Sequence, residues 1–197
     1  MESLKLILKL ILTPFLSVSI LFFTESSLFL YPLIFSIILS LSNYNLFRFD
    51  LPIGIFLGIV YSYIAFFVGY FGYAVFYKAI ELIGIANDIT IGEWFYTDLA
   101  FCIAVFIIAP YLTMYLQKLL FKNTKTKLTY WIISITTFVF VMISFVHSDQ
   151  DVKNFFNIIN LWQLIIMFGL QLVINQKVIS GKLKSGNEKP AHNNVYN

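Results

Sequence analysis

Apolar residues occupy this chain in six long runs, each free of the strict alternation of a half-buried strand and each ended by a short polar cluster. A helix rises 1.5 Å per residue, so about 20 apolar residues can cross the roughly 30 Å hydrocarbon core of a bilayer. The pattern predicts helices at about 4–23, 26–44, 53–77, 97–117, 128–147 and 155–175, in one domain spanning 1–175. The first opens with Lys5 and Lys9, one turn apart, whose long stems can snorkel to an interface. No small-residue cleavage pattern follows it, so it reads as a retained helix and not a signal peptide. The second is the weakest, because its uninterrupted apolar stretch, 28–41, rises only about 21 Å. A re-entrant hairpin made of the first two runs is the competing reading, and it leaves five crossings.

The connection from Lys78 to Trp94 is too polar to cross and too apolar for an ordinary loop. Segment 78–94 is expected to lie along the outer membrane interface, with Trp94 and Tyr96 as anchors. Residues 176–197 are polar and rich in Lys and Asn, and are expected to form a disordered cytoplasmic tail.

Composition changes this picture by naming the solvent. Hydrophobic residues make up 59% of the chain and charged ones 12%, against about 45 to 50% and about 25% in soluble domains. Lipid forces backbone polar groups to be satisfied internally, which helices and closed barrels achieve, and the missing two-residue period selects helices. The expected fold class is therefore an all-α polytopic membrane protein, six transmembrane helices in one bundle.

Charge then orients it. With the N-terminus inside, Lys5, Lys9, Arg48, Lys118, Lys122, Lys125, Lys127, Lys177, Lys182, Lys184 and Lys189 share one side, leaving Lys78 and Lys153 on the other, from a total of 13 basic residues. Short loops rich in Lys and Arg stay cytoplasmic, so both termini are expected in the cytoplasm. The re-entrant alternative would place Lys118 to Lys127 opposite Lys5 and Lys9, which the same rule disfavours. The net charge of +3 sits in membrane-flanking loops, so lipid headgroups and not nucleic acid are the expected partner. A Lys-, Ile- and Asn-rich composition with Arg48 as its single arginine fits an A/T-rich bacterial gene, hence a bacterial inner membrane.

Candidate chemistry lies in uncharged residues. In the third helix Gly54, Gly58, Ser62, Ala65, Gly69 and Gly72 fall within a stripe of about 80°, a helix-packing face that lets another helix approach closely. In the sixth, Asn157, Asn160, Gln171 and Asn175 lie within about 60° of one another and Gln163 about 60° further round. Unpaired amides facing lipid are costly, so this stripe should face protein or water, either as interhelical tethers or as the lining of a solute path. Ser134, Thr137 and Ser144 of the fifth helix are candidates to face it.

His147, Asp149 and Asp151 form a weak metal-ligand cluster, since structural zinc sites use four Cys or His ligands, and no metal or other cofactor is expected. Cys102 has no second cysteine to pair with. The chain lacks a His-Glu-x-x-His pair, a Gly-x-Ser-x-Gly elbow and a P-loop, and no acid or base lies deep in a run. No catalytic residues are expected.

In size and six-helix layout the chain resembles the small substrate-capturing subunits of modular vitamin transporters, and more loosely the membrane-embedded immunity proteins against pore-forming toxins. The likeness covers length and hydropathy, carries no motif and transfers no residue role. Solute binding or permeation along the amide face is the leading expectation. The alternative is docking of another membrane protein, or self-association, through the glycine face.

Overall fold

The computed structural model describes residues 2–23, 28–86, 99–122, 124, 126–146 and 157–187. Among these the chain is helical, and its only strand-like pairing is an isolated antiparallel bridge between Phe47 and Phe121. The elements are α1 (Glu2–Phe23), α2 (Tyr31–Ser42), α3 (Leu51–Ala86), α4 (Leu99–Lys118), α5 (Lys127–Val146) and α6 (Ile158–Asn187). Single 3-10 turns, Leu28–Leu30 and Tyr44–Leu46, flank α2. Among the described residues, four helical stretches are long and apolar enough to cross a membrane: Leu4–Phe23, Leu51–Gly84, Leu99–Lys118 and Ile158–Gly181. Tyr31–Ser42 and Lys127–Ile143 are shorter apolar stretches. Phe56, Tyr70, Phe71, Val75, Trp131 and Phe138 are largely exposed on the outer surface, an apolar coat that suits lipid and not water.

Several boundaries differ from the sequence pattern, each for a local reason. The α-helical part of α2 has 12 residues, about 18 Å of rise. Pro32 sits at its start, where a missing N–H costs nothing. α3 does not stop at Tyr77 but continues to Ala86, carried by good helix formers and a 2.7 Å ion pair between Lys78 and Glu81. The rest of the 78–94 segment, with Trp94 and Tyr96, lies outside the described residues, as do His147, Asp149 and Asp151. α6 likewise runs past Asn175 to Asn187, so the first part of the expected tail is helical.

Within α4 the stretch Cys102–Ile108 is π-helical. Pro110 has no N–H, and its ring would crowd the carbonyl of Phe106 four residues back. The wider turn relieves this: the Ala109 N–H donates to the Ala104 carbonyl, five residues back.

The helices pack in chain order around one core, α1 against α2, α2 against α3 and so on, with α6 returning to α1. α6 also touches α2 and α4. Its apolar window is 61% buried, against 22% for α3, so α6 is the central helix. Gly169 is where it meets its neighbours most closely: a Cβ there would stand 2.6 Å from Thr136 Cγ2 and 2.9 Å from Met114 Cε.

One end of the bundle collects the C-termini of α2, α4 and α6 and the N-termini of α3 and α5. The Lys122 N–H donates to the Leu46 carbonyl, the Arg48 N–H to the Leu120 carbonyl and Arg48 Nε to the Phe121 carbonyl. Thr126 Oγ1 donates to Gln176 Oε1 and Gln176 Nε2 to Thr129 Oγ1, fastening α5 to α6. With Arg48, Lys118, Lys122, Lys127 and Lys177 gathered there, this is the basic end.

Candidate functional site

The opposite half of the bundle holds a cavity of about 220 Å³. α2 contributes Tyr31, Pro32 and Phe35, α3 contributes Ser62, Phe66 and Tyr70, and α6 contributes Ile158, Ile159 and Trp162. α4 supplies Phe101, just before its π-helical stretch, Val105 and Phe106 within it, and Ala109 and Thr113 after it, and Phe140 of α5 completes the wall. Edge-to-face contacts, Phe101 on Phe106 at 5.2 Å and Phe106 on Phe140 at 5.3 Å, make this wall aromatic and stiff. Its polar groups are few. Thr113 Oγ1 donates to the Ala109 carbonyl at 2.7 Å, and the Tyr31 hydroxyl donates to Asn160 Oδ1 at 3.0 Å.

The small-residue face of α3 points into the bundle. Ser62 and Ala65 are buried. A Cβ on Gly69 would stand 2.9 Å from Ala109 Cβ, and one on Gly72 3.7 Å from Ala104 Cβ, so α3 and α4 approach through glycine and alanine. Gly58 faces Leu120, Ser40 and Gln117, and Gly54 lies against the Phe47 ring. The glycines therefore meet α2, α4 and the loop between α2 and α3, all of the same chain.

The five expected amides, Asn157 just before α6 and Asn160, Gln163, Gln171 and Asn175 within it, are buried but do not form one continuous lining. Asn157 caps the helix, its Oδ1 accepting the Asn160 N–H at 2.8 Å. Asn160 meets Tyr31 of α2, and Gln163 Nε2 donates to Ser17 Oγ of α1. At the basic end Asn175 Nδ2 donates to the Gln171 carbonyl at 2.9 Å and reaches Gln171 Oε1 at 3.1 Å and Asn43 Oδ1 at 3.5 Å. None of the five lines the cavity. A central helix meets a different neighbour at each level, so its stripe is divided among them. Of the three α5 hydroxyls expected to face α6, Ser134 is exposed, Thr137 is buried with no hydrogen bond to α6, and the Ser144 side chain is outside the described residues; Thr129, which bonds Gln176, and Thr136, which lies against Gly169, meet α6 instead.

Two features were not singled out in the sequence. Gln117, at the end of α4, donates through Nε2 to the Gly58 carbonyl at 2.8 Å and to Ser62 Oγ at 2.7 Å, and lies 3.3 Å from Ser36 Oγ. The signal for this cluster was present: Ser36, Ser40 and Asn43 recur at helical spacing in α2. The second is Lys118, buried with its Nζ 3.8 Å from the Tyr130 ring centroid and 4.3 Å from that of Tyr115, a cation held between two aromatic faces. Among the described residues no group of His, Cys, Asp and Glu could hold a metal ion.

No protein-family model, curated protein or solved structure matches this chain.

Proposed function

We propose that the chain is a six-crossing protein of the bacterial inner membrane, with both termini on its basic, cytoplasmic side, that binds a small apolar molecule in the aromatic cavity without transforming it. The cavity carries this reading. An apolar cavity of about 150 Å³ accepts benzene, and pockets for drug-sized ligands occupy about 300 to 1,000 Å³. A space of about 220 Å³ therefore suits one substituted ring or a short acyl stretch. An apolar wall favours a ligand drawn from the bilayer. Among the described lining residues no acid, histidine, lysine or thiol appears, which supports binding over catalysis. The α6 amides then serve as tethers that hold the wall in register. The glycine face of α3 is already filled by the chain's own helices, which favours this reading over docking of a second chain there.

Purification in mild detergent, followed by mass spectrometry of the extracted small molecules and uptake of benzene as a probe, tests it. Wild type should carry a small apolar compound or take up benzene. Val105→Trp, which fills the cavity from α4, should abolish both while keeping a monodisperse elution profile. A wild-type protein that carries nothing and takes up no benzene would remove the reading.

A further inference from the structure

On α4, Phe101, Val105, Ala109 and Thr113 line the cavity at four-residue spacing, so one stripe of this helix faces the space. A helical carbonyl points along the axis toward the residue four further on. That of Val105 is therefore directed at Ala109, on the same stripe. In an α turn the Ala109 N–H would serve it, and in a π turn the N–H of position 110 would. The Ala109 N–H donates to the Ala104 carbonyl instead, and Pro110 has no N–H. Neither register supplies the Val105 carbonyl with a main-chain donor. The Thr113 hydroxyl, one turn beyond Ala109, donates to the Ala109 carbonyl and not to that of Val105.

The hydroxyls of the wall have already placed their protons. Tyr31 donates to Asn160 Oδ1, and Thr113 to Ala109. Ser36 Oγ donates to the Gly58 carbonyl at 2.8 Å, which leaves Ser62 to donate in the 2.6 Å contact between the two serines. The Trp162 indole N–H has no partner among the described residues, but its nitrogen is buried and presents no surface to the cavity. The wall thus offers an acceptor and no free donor. A carbonyl left bare in apolar surroundings is costly, and a ligand that donates to it recovers that cost. We propose that the molecule held in the cavity is an aromatic ring carrying one O–H or N–H, such as a phenol, and that the Val105 carbonyl accepts its hydrogen bond. This deepens the cavity reading and rests on it. A hydrocarbon, ether or ketone of the same size fills the space and leaves Val105 unpaired.

Binding of three rings of similar size to the purified full chain tests it: phenol, with one O–H, against toluene and anisole, with none. Each affinity is referenced to the compound's partition from water into cyclohexane, a solvent that cannot hydrogen-bond. So referenced, phenol should bind at least about tenfold more tightly than either analogue. Pro110→Ala restores an N–H, so the Val105 carbonyl is served by position 110 in a π turn or by Ala109 in an α turn. That variant should lose most of the phenol preference while still binding toluene. Phenol held no more tightly than its referenced analogues by wild type, or a preference that survives in Pro110→Ala, overturns the proposal. Should Pro110→Ala fail to elute as a single species, the wild-type comparison decides alone. Toluene that binds while phenol shows no preference leaves the cavity reading standing; failure of all three compounds removes both.

Discussion

At the basic end the loop after α2 is laced to the turn after α4 by backbone bonds, and amides and threonines join α6 to its neighbours. At the other end α2, α4, α5 and α6 meet mainly through aromatic faces around a cavity. Directional bonds specify one register and leave little free volume. Aromatic contacts tolerate gaps, because ring edges and faces can be satisfied at several angles. The π-helical turn falls at the aromatic end, where a widened backbone can be accommodated. On the proposed function this is a division of labour, with one end holding the bundle together and the other offering space for a ligand.

The largest effect is expected at the waist both ends share. Gly169→Leu would drive a side chain into Thr136 and Met114, and overpacking of this kind costs about 1 to 3 kcal/mol or more. Loss of monodisperse protein is the expected result, and the smaller defect of Gly169→Ala should be partly relieved by Thr136→Ala. Wild-type yield and unfolding temperature for Gly169→Leu would mean that α6 does not approach α5 this closely.

Next comes the caged cation at the basic end. Removing a ring from a desolvated cation–π contact costs about 2 kcal/mol, so Tyr130→Leu should lower the unfolding midpoint in detergent. Lys118→Met leaves both rings in place, and the relief of burying a charge offsets the lost cation–π contacts, so it should be nearly neutral. The double-mutant cycle decides the matter: if Tyr130→Leu is equally harmful with Met at 118, the rings do not stabilise the cation. The smallest effect is expected for Asn175→Leu, since single hydrogen bonds between membrane helices average about 0.6 kcal/mol. A loss several times larger would show that the basic-end amides act as one cooperative network, sharpening the difference between the two ends.

Much of the helical layout was legible along the chain because apolar runs of bilayer length are a strong signal. Boundaries were less so. α3 runs on past Tyr77 through the Lys78–Glu81 pair, and neither that extension nor the π turn before Pro110 could be read from hydropathy, whereas the shortness of the second apolar run already marked α2 as the weakest helix. Of the site, the wheel positions of Asn160, Gln163 and Asn175 showed that they must be buried, but not that they would be divided between α1 and α2. Gln117 looked like an ordinary helix-end residue until α2 and α3 placed Ser36, Ser62 and the Gly58 carbonyl around it.

By itself the sequence determined that this chain is helical, that its surface suits lipid, and that its polar groups had to turn inward. These follow from composition and periodicity, which act residue by residue. Only the tertiary structure decided that α6 is central, that the small face of α3 is consumed by α2 and α4, and that aromatic residues from five helices line one cavity. Such facts depend on which faces meet, and hydropathy is nearly equal on every face of a helix surrounded by lipid and other helices.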